Sequence, residues 1–338
     1  MREEASLEQW KVLYETATRI KELKPWEKFW DMDLIGVSRE NEENTVFFSI
    51  LGRGGDCYGI GVYEGYEGLN SFLMVTMQQS MNLAPEYAMF HQKNLTCFWG
   101  NREELTDKQR KIIKELGYKY RGKNQWLYFL SFEPGYYPYN MDKDEVLRLS
   151  KYLQDLELAL KCYDKEKVEV DFEKGNMFLV VLEEDRKIKS YGEQPLPFTA
   201  FQFGNLLITD EELLSKLEKV PKCNAILEAD VSVLGASISD KKYDRPANPA
   251  LSLLGDANTG TIIKFEMVEP KEDAIVMLAE ILIGFIFQFG APKEVRVSNI
   301  IVEAGLEKIC NMCGIKLRRV KRLQGLDEFK HNLYRFGL

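Results

Sequence analysis

A glycine-rich segment, LGRGGDCYGIG at Leu51–Gly61, is the first candidate for chemistry. Glycines let backbone amides approach a phosphate, but a phosphate loop also needs a helix directly after it, so that the helix N-terminus faces the anion. A strand pattern follows here instead, which favours a hairpin turn at Gly54, Gly55 and Asp56. A binding function stays open, because Glu64–Gly68 would begin the next helix, where an anion or polar ligand is favoured.

A second candidate is the pair Cys310 and Cys313, which has the spacing of a redox dithiol or of half a structural zinc site. Zinc needs two further ligands, but His91 and His331 are isolated in the sequence. The pair also ends a predicted helix, just before Gly314, whereas a thioredoxin-like motif begins one. We therefore interpret both cysteines as packed thiols, and we expect neither histidine to act as a general base.

The loop FEPGYYPYN, Phe132–Asn140, joins a predicted strand to a predicted helix. Its prolines and glycine leave no regular element in which Tyr136, Tyr137 and Tyr139 could all be buried. Exposed aromatic residues mark contact surfaces, so this loop is the best binding surface predicted in the first half of the chain. The alternative is a loop folded back over the core with its hydroxyls in water.

The segment KLRRVKR, residues 316–322, carries five basic residues in an acidic chain. Arg318 and Arg319 at its centre could contact the phosphates of a nucleic acid. Basic residues also protect an edge strand from pairing with other molecules, and we favour that interpretation.

The composition narrows the class of protein. The chain has 338 residues and a formal charge of -8, which disfavours a dedicated nucleic-acid binder because phosphate contacts need an excess of Lys and Arg. The N-terminus shows no secretory signal pattern, and the most apolar run, Ala274–Phe289, is shorter than the roughly 20 residues of a membrane span. The six cysteines are scattered, as in a reducing compartment. We expect a soluble cytoplasmic protein without a cofactor or a membrane contact, in which Ala274–Phe289 is a core helix or a surface for self-association.

Local signals position these candidates on helices and strands. Four helix starts are indicated by side chains three positions apart that can satisfy free backbone donors: Ser6–Gln9, Thr106–Gln109, Asp142–Glu145 and Thr209–Glu212. Strands are predicted where β-branched and aromatic residues lie between turns: Asp33–Val37, Thr45–Leu51, Tyr58–Tyr63, Leu95–Trp99, Gln125–Phe132, Val168–Phe172, Met177–Glu183, Phe198–Phe203, Ala225–Leu234, Ala250–Leu254, Thr261–Met267, Glu294–Ser298 and Ile315–Val320.

The length predicts two domains. The charged run DKEKVEVDFEKGN, which starts at Asp164 after a long predicted helix, is the best boundary. We therefore expect two mixed α/β domains, of the α+β or α/β class. The first, residues 1–163, would carry the glycine-rich hairpin and the aromatic loop, and the second would be residues 164–338.

From about residue 225 the order of three strands, helix, strand, helix, strand, helix resembles the RNase H-like fold of ribonuclease H and of integrase or transposase cores. The segments LEADVSVLG, ALSLLGDANTGTIIKFEMVEP and FGAPKEVRVSN carry this resemblance. It implies a two-metal site centred on Asp230, because clustered carboxylates hold magnesium in such enzymes. The fourth-strand position falls at Ser298 or Asn299, which are not carboxylates. Glu303 on the next helix is the candidate substitute, and Glu272, Asp273 or Glu280 could offer a third ligand.

The whole chain also resembles an uncharacterised bacterial family with two domains of unknown function. The segments SILGRGGDCYGIGVYEGYEGLNSFLMV, PGYYPYNMDKDE and LEKICNMCGIKL carry this second resemblance. It implies a bacterial cytoplasmic protein and no particular activity.

Three functional hypotheses follow. The leading one is a non-catalytic binding or regulatory protein that recognises a protein or a small molecule and whose second domain is a degenerate RNase H-like module. The first alternative is a metal-dependent phosphoesterase or nuclease-like enzyme centred on Asp230. The second is nucleic-acid binding through the basic segment 316–322.

Overall fold

A computed structural model describes residues 2–197, 208–235 and 237–335. The chain divides into two compact units. Unit 1 comprises Met1–Leu73, Gln92–Glu133 and Pro138–Thr199, and unit 2 comprises Met74–His91, Pro134–Tyr137 and Ala200–Leu338.

The first elements in chain order are α1 (Leu7–Leu23), β1 (Ile35–Arg39), β2 (Val46–Leu51), β3 (Tyr58–Glu64), α2 (Gly65–Thr76), α3 (Pro85–Phe90), β4 (Asn94–Gly100), α4 (Asp107–Glu115), β5 (Trp126–Phe132), α5 (Lys143–Glu166), β6 (Asn176–Leu182) and β7 (Ile188–Pro195). The remaining elements are α6 (Glu211–Leu217), β8 (Ile226–Val233), β9 (Ala250–Asp256), β10 (Ile262–Val268), α7 (Ala274–Phe289), β11 (Glu294–Val297), α8 (Ile300–Met312), β12 (Lys316–Arg319) and α9 (Gln324–Arg335).

Unit 1 is built on a seven-stranded sheet of order β5-β4-β3-β2-β1-β6-β7. Strands β1 to β5 form an antiparallel meander, and β6 joins it parallel to β1. The apolar face of α1 is buried and packs with α5 in the main core, while Leu69 and Phe72 of α2 belong to a separate small cluster with Phe47.

Three of the predicted helix starts are confirmed, because Ser6, Thr106 and Asp142 each form a complete capping box. The fourth is displaced by one residue. Asp210 caps α6, accepting hydrogen bonds from the backbone N–H groups of Glu212 and Leu213, since a carboxylate at this position reaches both donors.

The predicted boundary after Tyr163 lies within unit 1. β6 pairs with β1 along Ile35–Arg39, and β7 pairs with β6, so both strands after this point complete the first sheet. The predicted strand Val168–Phe172 is absent, and a short 3-10 turn at Phe172–Lys174 precedes β6 instead. The predicted strand Phe198–Phe203 lies outside the described residues.

Unit 2 contains a five-stranded sheet of order β10-β9-β8-β11-β12. The first three strands are antiparallel, and β11 and β12 run parallel to β8. This is the RNase H-like order that the sequence predicted. Helices α7 and α8 pack on one face with Leu227, Ala229 and Val231, whereas α9 packs on the other face through Leu326, together with Leu323 just before the helix. No described helix combines the length and the apolar character that a membrane crossing requires.

Candidate ligand pocket and the Asp230 site

The glycine-rich segment forms a hairpin turn, as the sequence favoured. β2 and β3 pair from Val46 with Glu64 to Leu51 with Gly59. Gly52 has a φ of +123°, and a Cβ there would lie 2.5 Å from the Tyr58 ring, so this turn needs glycine. Gly54, Gly55 and Asp56 are exposed at its tip.

A pocket of about 300 Å³ lies beside this hairpin within unit 1. The hairpin contributes Gly55, Asp56 and Cys57 to its lining, and the ends of β4 and β5 contribute Phe98 and Tyr128. The two rings are stacked, with centroids 5.3 Å apart and planes 21° from parallel. Two of the predicted binding residues, Gly55 and Asp56, therefore border a cavity that also has an aromatic wall.

Glu104 places a fixed carboxylate in the same pocket. One of its oxygens accepts hydrogen bonds from the Asn101 backbone N–H (3.2 Å) and side-chain amide (2.8 Å), and the other accepts from the Tyr128 hydroxyl (2.9 Å). Asn101 in turn accepts a hydrogen bond from the Asn124 N–H at 3.2 Å. The carboxylate is therefore oriented before any ligand arrives, which lowers the entropic cost of binding.

The electrostatic environment of the pocket is negative. Burial, with contributions from Asp56 and Glu104, raises the pKa of the Cys57 thiol. Burial and the Glu104 carboxylate also raise the pKa of Tyr128. A thiol with a raised pKa stays protonated at neutral pH and is a weak nucleophile, so this pocket is suited to binding rather than to thiolate chemistry.

Asp230 lies in unit 2, buried on β8, where it faces α9. The Lys330 ammonium on α9 is 2.9 Å from its Oδ2 atom. Ser298 Oγ and Asn299 Nδ2 each donate a hydrogen bond of 3.3 Å to its Oδ1 atom. Both carboxylate oxygens are thus engaged by donors of the protein itself.

The residues around Asp230 do not fit the metal site that the RNase H-like fold implies. The position where a second carboxylate would be needed holds the donors Ser298 and Asn299, and an ammonium provides the positive charge. Within residues 2–197, 208–235 and 237–335, no group of three or more His, Cys, Asp or Glu side chains is arranged to hold a metal ion.

Glu303 and Glu280 are not brought to Asp230. They lie on α8 and α7, which pack on the opposite face of the sheet. Glu303 pairs with Arg319 at 3.4 Å, and Glu280 is exposed. Alternation along β8 explains the separation, because Ala229 and Val231 face these helices while Asp230 faces away.

The three tyrosines of the aromatic loop have different surroundings, since Tyr136 and Tyr137 belong to unit 2 and Tyr139 belongs to unit 1. Tyr136 is buried, with the Arg245 guanidinium 5.5 Å from the centre of its ring. Tyr137 is half-buried and donates a hydrogen bond of 2.6 Å from its hydroxyl to the Gly235 carbonyl. Tyr139 is also half-buried and pairs with Ser131 through two backbone hydrogen bonds. Because Tyr136 is buried, it does not contribute an exposed aromatic face for a partner.

The basic segment begins with β12, which is an edge strand of the unit 2 sheet, as the sequence favoured. Two of its charges are partly neutralised, since Lys316 lies 3.0 Å from Glu294 and Arg319 lies 3.4 Å from Glu303. Arg318 lies between them on the same strand. This strand therefore combines edge protection with a smaller positive field than its composition suggests.

The cysteine pair consists of packed thiols, as predicted. Cys310 and Cys313 are buried in the unit 2 core and are not bonded to each other. Burial raises the pKa of Cys310 to about 12 and also raises the pKa of Cys313. Neither thiol has the thiolate character that redox exchange requires.

Sequence reasoning missed Glu104, Tyr128 and Lys330. A signal existed for Glu104, because Asn101 and Glu104 have the capping-box spacing and form that box in the structure. Tyr128 is one of several aromatic residues in a strand, and Lys330 is one of several lysines near the C-terminus, so their sequence context does not distinguish them.

These features define a two-unit mixed α/β protein with a small-molecule-sized pocket in unit 1 and, in unit 2, an RNase H-like sheet whose first-strand aspartate is paired with lysine. Residues 10–180 match the family model described as domain of unknown function (DUF7309), and residues 213–334 match the one described as domain of unknown function (DUF6930). The first match spans just over half of the chain, which therefore belongs to the DUF7309 family.

No curated protein matches the chain. Among solved structures, it is similar to the HTLV-2 integrase catalytic core domain in complex with magnesium (dimeric form), at 19% identity over 33% of this chain and 68% of that one, with a TM-score of 0.24. It is also similar to a simian T-cell lymphotropic virus intasome in complex with PP2A regulatory subunit B56 gamma, at 14% identity over 33% of this chain and 41% of that one, with a TM-score of 0.25. The strand order of unit 2, β10-β9-β8-β11-β12, is itself that of the RNase H-like fold.

Proposed function

We propose that this chain is a non-catalytic binding protein of the bacterial cytoplasm that holds a small organic cation in the hairpin pocket of unit 1. The observation that carries the proposal is the combination, in one cavity of about 300 Å³, of the stacked Phe98 and Tyr128 rings with the oriented Glu104 carboxylate. The proposed location in the cytoplasm is supported by the six free cysteines, which suit a reducing compartment.

The charge and the rings of the pocket favour a cation over an anion. Asp56 and Glu104 provide two carboxylates, and Lys123 provides one ammonium. Aromatic faces attract cations, and a carboxylate strengthens a hydrogen bond to a charged donor. A ligand with a flat apolar part and an amidinium or ammonium group would use both features.

We expect benzamidinium to bind about tenfold more tightly than benzamide, its uncharged counterpart, because a hydrogen bond to a charged group adds about 1.5 kcal/mol. Glu104→Gln should remove this difference, since the amide keeps the shape of the side chain and loses the charge. Isothermal titration calorimetry with the full chain provides the measurement.

Glu103→Gln is the matched control. Glu103 precedes Glu104 on the same short turn, is exposed and does not line the pocket, so its substitution should leave both affinities unchanged. Preference for benzamide or benzoate over benzamidinium would contradict a cation site, and equal effects of the two substitutions would show that bulk charge, and not this pocket, governs binding.

The rival proposal is a divalent-metal-dependent phosphoesterase centred on Asp230. It is favoured by the position of this residue on the first strand of the unit 2 sheet. It is opposed by Lys330, whose ammonium already neutralises the carboxylate at 2.9 Å. Nucleic-acid binding by residues 316–322 is a weaker alternative, because Glu294 and Glu303 already pair with two of the basic residues.

Titration of Mg²⁺ or Mn²⁺ distinguishes the two leading proposals. For a non-catalytic protein, we expect the wild type and Asp230→Asn to give the same calorimetric trace, because no cluster of carboxylates among the described residues surrounds Asp230. A saturable divalent-ion site in the wild type that is lost in Asp230→Asn would contradict the non-catalytic proposal and would support the rival.

A further inference from the structure

The two edges of the unit 2 sheet differ in chemistry. β12 carries Lys316, Arg318 and Arg319, and like charges along an edge oppose pairing with another strand. At the opposite edge, β10 pairs with β9 on one side and with no strand of the described chain on the other. It exposes Phe265 (53%) and Met267 (54%). One edge is therefore protected, and the other has the character of a contact surface.

The apolar side chains of β10 lie next to a packed face. Phe265 and Met267 are opposite Leu253 and Leu251 in the β9–β10 register, on the side of the sheet that α9 covers. The Phe329 ring of α9 has its centroid 5.9 Å from that of Phe265, yet about half of Phe265 remains in water. Helix α9 thus covers the inner part of this face and leaves the edge uncovered.

The residues between these side chains carry opposite charges. Lys264 and Glu266 form an ion pair of 3.1 Å, and both side chains are about half exposed. They flank Phe265 symmetrically, one on each side.

We infer that β10 pairs antiparallel with β10 of a second copy of this chain, around a twofold axis at Phe265. In this arrangement Phe265 faces Phe265 of the second copy and Lys264 faces Glu266 in both directions, while Ile263 lies at the register shift between Ile262 and Lys264 and marks the end of the regular pairing. A twofold interface must be self-complementary. The pair Lys264 and Glu266 meets this requirement, because each charge faces its opposite in the second copy. Opposite charges and aromatic pairs directly across two strands both stabilise the pairing.

The charges select this register over its neighbours. An axis at Lys264 would place lysine on lysine, and an axis at Glu266 would place glutamate on glutamate, both of which are unfavourable. The same self-complementarity identifies a second copy as the occupant, because an unrelated strand has no reason to present Glu, an aromatic residue and Lys in reverse order.

Sedimentation equilibrium of the full chain up to about 100 μM tests the inference. We expect a concentration-dependent dimer. Lys264→Glu alone and Glu266→Lys alone should each weaken it by about tenfold or more, since each creates two like-charge contacts across the axis. An equimolar mixture of the two variants should restore dimers, because each Glu then faces a Lys in the partner chain.

The mixture separates contacts between chains from contacts within one chain, because neither variant can form the ion pair between residues 264 and 266 internally. A wild type that stays monomeric would overturn the inference. Variants that dimerise as strongly as the wild type would overturn the interface, and a mixture that fails to recover dimers would overturn the register.

Phe265→Asp and Phe289→Asp form a matched pair, because the two phenylalanines are equally exposed, at 53% and 54%, and Phe289 ends the apolar helix α7. We expect only Phe265→Asp to abolish dimers. Loss of dimers in Phe289→Asp but not in Phe265→Asp would overturn the inference and assign self-association to α7. Circular dichroism of each variant confirms that the fold is retained.

Discussion

Replacing Lys330 by methionine is expected to lower the free energy of unfolding of unit 2 by about 3–5 kcal/mol, because it leaves the Asp230 carboxylate buried without its partner. The Asp230 side chain is 6% exposed and the Lys330 side chain 19% exposed, with 2.9 Å between Nζ and Oδ2. Unfolding in urea, followed by far-ultraviolet circular dichroism, gives the measurement.

Two variants make this result specific to the buried pair. Asp230→Asn combined with Lys330→Met should recover most of the stability that Lys330→Met alone loses, because an amide is far less costly to bury than an unpaired carboxylate. Lys316→Met removes an ion pair of similar length, 3.0 Å, whose lysine is 65% exposed, and should change stability by less than about 1 kcal/mol. A loss for Lys330→Met no larger than that for Lys316→Met would contradict the structural role of the pair.

The charge on Lys330 persists over the neutral range. Burial alone lowers the pKa of Lys330, but Asp230 and Asp327 more than compensate and raise it above its ordinary value. A cation whose pKa is raised on folding contributes stability that is fully present below the unfolded pKa and is lost as the pH rises through the folded pKa. The contribution of this residue should therefore be constant around neutral pH and decline only in strongly alkaline solution.

In unit 1, Arg39→Met is expected to lower the free energy of unfolding by about 3–5 kcal/mol, because it leaves the buried Asp155 carboxylate without its main partner. Arg39 Nε lies 3.0 Å from Asp155 Oδ2, and Nη2 lies 2.6 Å from Oδ1, a two-point contact with a carboxylate that is 4% exposed. All five tryptophans lie in unit 1, so tryptophan fluorescence during urea unfolding reports on this unit.

Arg186→Met is the matched control for this second prediction. Arg186 approaches the same carboxylate at 3.5 Å from a side chain that is 37% exposed, so its loss should cost less than about 1 kcal/mol. Equal losses for the two arginines would contradict the view that the two-point contact of Arg39 neutralises Asp155. A fluorescence transition that moves with Lys330→Met as much as with Arg39→Met would show that the two units unfold together.

The buried pair at Asp230 bears directly on function. A carboxylate at the first-strand position of an RNase H-like sheet is a metal ligand only when further carboxylates converge on it. Here Ser298, Asn299 and Lys330 converge on it as donors. Asp230 therefore connects β8 to α9 and to the end of β11, which is a structural role that supports the non-catalytic proposal.

Local structure was predictable because its causes are local. A capping box depends on residues three positions apart, so Ser6, Thr106 and Asp142 were recognised as helix starts from the sequence. The hairpin at Gly54 and Gly55 was likewise predictable, because glycines between two strand patterns leave few alternatives. The strand order of unit 2 was predicted through a resemblance, and the sheet register agrees with it.

Tertiary structure alone determined which residues meet. The sequence by itself established three helix starts, the hairpin, the packed cysteines and Asp230 on a buried strand. Lys330 is 100 positions from Asp230, and β6 joins β1 across most of unit 1, so neither contact has a local signature. Sheet register decided which side chains share a face, and it thereby separated Asp230 from Glu280 and Glu303. The physical reason is that side chains alternate across a sheet, so the pairing of distant strands determines whether carboxylates converge on one site or lie on opposite faces.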